Sequence, residues 1–219
     1  LNIVLLLLLI IFILTLPDPY KTGTQIQNGA EKDKAPSDSI LTFLQDNHVY
    51  ALFSLSVIFI FFGHCIVNTY LPNVLAWFGK GTDFTGLVVG MAAFLELIPM
   101  MFYEQITTKI SSLQLLYLSA IFFTIKLLTA AIAANAGWVV ISQAMQILAY
   151  ALFAMASIYF TNEAVKPHNR VMAQGLLVGA NEAGFMIGGL VGGIVLDHAN
   201  IKKLLWIGVA VSAIGSLLM

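Results

Sequence analysis

The residue with the clearest chemical potential is Glu96, the single charged residue in the apolar stretch 90–103. A charge at the centre of a membrane-length apolar run costs about 2.5–3.5 kcal/mol on insertion scales, so such a residue usually has a partner or a task. Pro99 lacks a backbone N–H and therefore frees the carbonyl of Leu95, next to the carboxylate. Glu96 is the leading candidate for a binding residue.

Two more charged residues lie deep in apolar runs, Lys126 and Glu182. Lys126 can form an ion pair with Glu96, and that pair either functions in the site or only holds two helices together. Glu182 has no cation in its own run. A carboxyl group without a nearby cation in a low-dielectric medium tends to keep its proton. We therefore expect Lys126 and Glu182 to form the charge pairs and proton-coupling groups of the protein.

Polar uncharged residues recur at helical spacing within other apolar runs. His64 and Asn68 are four residues apart, and on one continuous helix Gln143, Gln146 and Tyr150 would share a face. Polar faces of membrane helices point towards protein or a water-filled cavity. Hydrogen bonds that only join helices are the alternative, worth about 0.6 kcal/mol each. Polar groups at a common depth in five runs favour a polar cavity.

The elements that carry these residues are membrane spans. Hydrophobic residues make up 59% of the chain and charged residues only 10%, and stretches 49–79 and 127–162 contain no Asp, Glu, Lys or Arg. Each stretch exceeds the roughly 20 residues needed to cross the hydrocarbon core. The sequence predicts an all-α polytopic membrane protein with seven apolar segments: 1–16, 50–72, 84–103, 113–134, 138–160, 171–196 and 204–219.

The connections between these segments suggest a domain organisation. Residues 17–48 are rich in charged residues, Pro, Ser, Thr and Gly, which is typical of a solvated linker, although residues 40–44 can form a short interfacial helix. The later connections are short, so consecutive spans should be antiparallel neighbours. We interpret residues 1–16 as the last span of a preceding half, 17–48 as a cytoplasmic linker and 49–219 as a six-span bundle.

Several functional classes are disfavoured by the composition. The net charge of −1 gives no basic patch for nucleic acid, and one cysteine allows neither an intrachain disulfide nor a cysteine-based zinc site. The chain has no Gly-x-Ser-x-Gly or His-Glu-x-x-His motif. We therefore predict no cofactor, no metal and no enzymatic activity.

Glycines mark the sixth segment. Gly175, Gly179, Gly184, Gly188 and Gly192 form a ladder of nearly four-residue spacing, with Gly189 and Gly193 beside it. Small residues at this spacing let helix backbones approach closely. The ladder predicts tight helix packing and, if the helices move, a surface on which they slide.

Three motifs resemble the second half of a major facilitator superfamily transporter. Lys166-Pro-His-Asn-Arg170, then Ala173-Gln-Gly-Leu-Leu, then Gly188-Gly-Leu-Val-Gly-Gly193 resemble the loop and penultimate helix of that half. The resemblance covers essentially the whole chain. It implies a six-helix C-terminal bundle of a major facilitator fold together with the span before it, and an N-terminal half of the same protein as partner.

Within the superfamily the chain most resembles the oligosaccharide–proton symporters, the lactose permease group. Phe94-Leu-Glu96-Leu stands where that group has its sugar-binding glutamate, and Ile125-Lys126-Leu-Leu where it has a buried arginine. The departures from that group are four, namely Gln146 for a histidine, Ala149 for a glutamate, Asn68 for an aspartate and Asn181 for its lysine partner.

These observations predict a secondary active transporter in the cell membrane that moves a small polar solute, a sugar or a nucleoside, with protons. The substrate-binding residues would be Glu96, His64, Asn68, Gln143, Gln146 and Tyr150, with Lys126 and Glu182 as coupling groups. A multidrug or metabolite efflux transporter of the same superfamily is the main alternative, favoured by 15 Phe and 7 Tyr. A seven-span receptor is the weaker one, since retinal proteins carry their lysine in the last span.

Overall fold

Residues 39–219 are described by a computed structural model, and all of their regular structure is helical. The predicted first span, 1–16, and most of the predicted linker lie outside the described residues. The α-helices of the described part are α1 (Ile40–Asp46), α2 (His48–Thr69), α3 (Leu71–Trp77), α4 (Thr82–Met101), α5 (Tyr103–Thr107), α6 (Ser112–Ala131), α7 (Ala136–Ala144), α8 (Tyr150–Ala164), α9 (Arg170–His198) and α10 (Ile201–Leu218).

Six helical elements of the described part are long and apolar enough to cross a membrane. They are α2, α4, α6, the α7–α8 element, α9 and α10, and they match the six later predicted segments within the usual uncertainty of such boundaries. The expected all-α membrane class is therefore confirmed. The short interfacial helix expected at residues 40–44 corresponds to α1.

The predicted fifth segment, 138–160, is not one continuous α-helix. A 3₁₀ turn over Met145–Ile147 separates α7 from α8. A 3₁₀ turn is wound more tightly than an α-helix, so the regular α-helical periodicity is interrupted there. The Ser119 hydroxyl of α6 donates a 2.7 Å hydrogen bond to the carbonyl of Ala149, which ties the irregular stretch to the neighbouring helix.

Helix α2 is the central helix of the bundle. It packs against α9 and α10, while α6 packs against α10 and α8. The Ser56 hydroxyl of α2 donates a 2.6 Å hydrogen bond to the carbonyl of Gly215 in α10. A helix enclosed in this way must be apolar on nearly all sides, which explains the charge-free composition of α2.

Two apolar clusters lie towards opposite ends of α2. One includes Phe53, Phe123 and Phe153, and the other includes Ile66, Leu75 and Leu204. Consecutive residues of α2, Phe61 and Phe62, belong to different clusters. The clusters hold the helices together along both halves of α2, and His64 and Asn68 lie within the stretch that the second cluster covers.

Tyr50 joins three helices at the start of α2. Its hydroxyl donates a 2.6 Å hydrogen bond to the carbonyl of Ala173 in α9 and lies 3.3 Å from the hydroxyl of Thr161 in α8. The ring of Phe43, from α1, packs edge-on against the Tyr50 ring with 5.5 Å between centroids. This contact places α1 within the end of the bundle rather than in a free linker.

Candidate functional site

A polar cavity of about 490 Å³ lies between α2, the α7–α8 element and α9. Helix α2 contributes residues from three successive turns, because a spacing of three or four residues repeats one helix face. Helix α9 contributes a second wall, and the 3₁₀ turn and the start of α8 contribute the third. The lining residues are Phe61, His64, Asn68, Gln146, Tyr150, Asn181, Glu182 and Phe185.

Five of the eight predicted site residues line this cavity. They are His64, Asn68, Gln146, Tyr150 and Glu182. Glu182 is exposed to the cavity side in the described part of the chain, while the other four are buried or half-buried. The structure thus brings together the polar residues of α2, the fifth span and α9.

The remaining three predicted residues lie elsewhere. Gln143 is buried in α7, on the far side of the 3₁₀ turn, and Glu96 is half-exposed on α4. Neither is among the residues that line the cavity. Lys126 is fully buried behind the cavity wall. The expectation that Gln143 shares a face with Gln146 and Tyr150 assumed a continuous helix, which the 3₁₀ turn interrupts.

Lys126 is bound by two amide side chains. Its ammonium donates a 3.0 Å hydrogen bond to Oδ1 of Asn68 and another to Oε1 of Gln146. Within residues 39–219 it has no carboxylate at ion-pair distance, so the expected Glu96–Lys126 ion pair is not formed there. Glu96 is still close enough to interact electrostatically with Lys126 and Tyr150.

His64 lies in an aromatic enclosure. Its ring stacks on that of Tyr150 at 5.3 Å with an interplanar angle of 4°. The rings of Phe61, Phe123 and Phe185 meet it edge-on or tilted, at 5.0–5.6 Å. Offset stacking and edge-to-face contacts are the preferred arrangements of such rings. The imidazole is therefore fixed in orientation at the cavity wall.

Two buried polar atoms on cavity-lining residues lack a hydrogen-bond partner among the described residues. They are Nδ1 of His64 and Oδ1 of Asn181. An unsatisfied buried donor or acceptor costs about 1–3 kcal/mol, so native structures rarely leave one without a reason. Both atoms are themselves buried, so only a ligand or water that enters between the lining side chains could complement them.

Three lining residues were absent from the predicted site, Phe61, Asn181 and Phe185. Helical spacing could have identified two of them, since Phe61 precedes His64 by three residues and Phe185 follows Glu182 by three. Asn181 directly precedes Glu182. The aromatic residues gave no signal of their own, because phenylalanine is common on every face of these helices.

The arrangement supports non-covalent binding. The cavity combines amide, imidazole, phenol and carboxylate groups with two phenylalanine rings, a composition suited to a small polar molecule with some apolar surface. Among the described residues no group of three His, Cys, Asp or Glu side chains could hold a metal ion.

Comparison with known proteins agrees with this architecture. No curated protein matches the chain. The family model described as "MFS_1 like family" matches residues 1–206 of the 219. The chain therefore belongs to this MFS_1-like family of the major facilitator superfamily, and with six apolar helices in its described part it is a multi-pass membrane protein of the transporter type.

Proposed function

We propose that the protein is a proton-coupled secondary active transporter for a small polar solute, a sugar or a nucleoside, in the cytoplasmic membrane. The observation that carries the proposal is the cavity of about 490 Å³, in which amide, imidazole, phenol and carboxylate groups meet between three apolar elements. Transporters built from repeated halves bind their solutes near the bilayer midplane, between the halves. The N-terminal half of the transporter would supply the facing wall.

The cavity groups suit a neutral, hydroxyl-rich molecule. Hydroxyl groups both donate and accept, so they match a set of amide, imidazole, phenol and carboxylate groups. Phe61 and Phe185 supply apolar surface for a sugar ring face or a nucleobase. Gln146 and Tyr150 would complete the polar contacts.

Glu182 is the proposed proton carrier of this half. Its carboxyl group lines the cavity, where protonation can respond to which side of the membrane the cavity faces. Lys126, held by amides rather than by a carboxylate, would act on the site from behind its wall. Glu96 keeps a proposed role as a hydrogen-bond acceptor for the solute, although it is half-exposed on α4 and does not line the cavity of the described residues.

The test is uptake of radiolabelled sugars and nucleosides into proteoliposomes that contain the complete transporter. We expect at least one solute of these classes to accumulate when an inward proton gradient is imposed, and only to equilibrate without it. Accumulation that is indifferent to the proton gradient would remove the coupling part of the proposal. Failure of every sugar and nucleoside to enter would remove the solute class.

Efflux of aromatic compounds is the second candidate, and the ring cluster around the cavity favours it. Phe61, Phe123, Phe153 and Phe185 lie within 5.0–6.0 Å of one another or of His64. Export of a fluorescent aromatic cation from loaded vesicles, competed by no sugar or nucleoside, would favour this function over the first.

The role of Glu96 has its own test. Glu96→Gln keeps the shape of the side chain and removes its charge. If Glu96 accepts hydrogen bonds from the solute, the affinity should fall at least tenfold, about 1.4 kcal/mol. Glu104→Gln, on a short helix between spans, is the matched control and should leave affinity unchanged. Normal affinity in the Glu96 variant would assign Glu96 to structure only.

A further inference from the structure

The side chains of Lys126, Asn68 and His64 form a linear hydrogen-bonded series from the buried side of α2 to the cavity wall. Nζ of Lys126 lies 3.0 Å from Oδ1 of Asn68, and Nδ2 of Asn68 lies 3.0 Å from Nε2 of His64. Lys126 and His64 are both buried. Asn68, between them, is half-buried and lines the cavity. The two ends of the series are therefore shielded from water.

The chemistry of Lys126 fixes the orientation of the Asn68 amide. An ammonium group has donors only, so the Asn68 atom that faces it must be the carbonyl oxygen. The NH₂ group of Asn68 must then face His64. This assignment follows from the donors and acceptors of the two groups and holds while Lys126 carries its proton.

The orientation of Asn68 in turn fixes the tautomer of His64. The Asn68 NH₂ group donates, so Nε2 of His64 must accept and cannot carry a proton. A neutral imidazole whose Nε2 accepts carries its proton on Nδ1. A doubly protonated ring would place two donors against each other and is not compatible with this series.

The proton on Nδ1 is the one that lacks a partner among the described residues. The other titratable groups near the ring are Tyr150, which stacks on it, and Glu182, which shares the cavity wall; neither hydrogen-bonds to it. Glu96 acts on Lys126 and Tyr150 only through its charge. The Nδ1–H group of His64 is thus a buried donor without an acceptor among the described residues.

We infer that Lys126 is a positioning residue for His64: through Asn68 it holds the imidazole proton on Nδ1, so that the unpaired ring nitrogen of His64 is a hydrogen-bond donor. The consequence for the solute rests on the proposed function. If the cavity is the solute site, it favours a molecule that places a hydroxyl or carbonyl oxygen against His64, and it disfavours one that places a donor there.

The experiment is ¹⁵N NMR of the complete protein with labelled histidine, which distinguishes a protonated ring nitrogen from a bare one. The chain has 4 histidines, and loss of one signal set in His64→Gln assigns the ring. In the unmodified protein we expect His64 to be neutral with its proton on Nδ1. A proton on Nε2, or a doubly protonated ring at neutral pH, would overturn the inference.

The variants test the route through Asn68. In Lys126→Met the amide is free to turn, and His64 should move towards the Nε2–H tautomer that predominates in free imidazoles, whereas Lys126→Arg, again with donors only, should restore Nδ1–H. A residue needed only for packing would leave the tautomer unchanged in Lys126→Met, and that result would overturn the inference.

Asn68→Leu removes the amide while Lys126 stays in place, so it serves if Lys126→Met does not fold. His64 should again lose its preference for Nδ1–H, and a retained preference would contradict the proposed route. The measurement needs no solute. If uptake fails but His64 has the expected tautomer, only the proposed function is rejected. If uptake succeeds but His64 has the other tautomer, only the positioning role is rejected.

Discussion

The two sets of glycines on α9 have the same spacing and opposite surroundings. A Cβ atom on Gly184 would lie 2.5 Å from the carbonyl oxygen of Ile58, and one on Gly188 would lie 2.7 Å from that of Phe62. A Cβ on Gly175 or Gly179 would meet nothing within 4 Å among the described residues. The glycine ladder of the sequence is therefore divided in the structure between a face packed against α2 and an open face.

The same contrast separates whole helices. In α2, 61% of the most apolar 18-residue stretch is buried within the described bundle, against 22% for the element that contains α9 and 17% for α4. The α4 helix and the α7–α8 element have the same mean hydropathy, yet 17% of one and 50% of the other are buried, so hydropathy does not distinguish a helix enclosed by protein from one with a free face. The glycines of α9 thus allow close packing on one side of the helix and leave room on the other.

A matched pair of valine substitutions tests whether the two sets of glycines differ in their packing. Gly184→Val should lower the free energy of unfolding by more than about 3 kcal/mol, because the new side chain meets backbone atoms of α2 that cannot move independently. Gly179→Val should change it by less than about 0.5 kcal/mol. Thermal unfolding in detergent measures both. Equal destabilisation would show that the two sets of glycines have the same role.

Glu182 tests the open side of α9 in function. Glu182→Gln imitates the protonated carboxyl group permanently, so proton-driven accumulation should be lost while exchange of internal for external solute continues. Glu163→Gln, an exposed residue near the end of α8, is the control and should accumulate normally. Unchanged accumulation in the Glu182 variant would exclude it from coupling.

Tyr50 tests the packed side at the other end of α9. Tyr50→Phe removes the 2.6 Å hydrogen bond to the carbonyl of Ala173 and should lower the free energy of unfolding by about 0.5–1.5 kcal/mol. Tyr117→Phe, with 45% of the side chain exposed, should have no measurable effect. Comparable melting temperatures for the two variants would mean that this bond does not hold the helices together.

The smallest expected effect concerns two alanine substitutions, which should change the free energy of unfolding in opposite directions. Gly179→Ala should stabilise the protein by about 0.4–1 kcal/mol, because alanine restricts the unfolded chain and meets no neighbour. Gly188→Ala should destabilise it, since its Cβ would lie against the Phe62 carbonyl. Thermal unfolding of both variants checks the prediction, which two shifts of the same sign would contradict.

Much of the fold could be predicted from the sequence. The charge-free runs located the spans of the described part, since a helix that crosses hydrocarbon must be long and apolar whatever its neighbours are. Five of the predicted site residues line the cavity for a related reason: a polar group such as Asn68 or Glu182 within such a run needs a polar environment. These residues could be identified from their positions within apolar runs, without knowledge of the tertiary structure.

The break in the fifth span was not predictable from periodicity. The stretch around Met145 contains neither proline nor glycine, so the continuous-helix interpretation had no local signal against it. The Ala149 carbonyl is satisfied by Ser119, which lies thirty residues earlier in the chain. Gln143 lies before this break and is not among the residues that line the cavity, whereas Gln146 is.

The sequence by itself determined the class of protein, the positions of the spans and the types of polar residue within them, because the membrane imposes these requirements on each span separately. Only the tertiary structure decided which polar residues meet. It gave Lys126 two amide partners instead of Glu96, and it divided the glycines of α9 between a packed and an open face. Such choices depend on distances between helices that are far apart in sequence, and helical spacing carries no information about those distances.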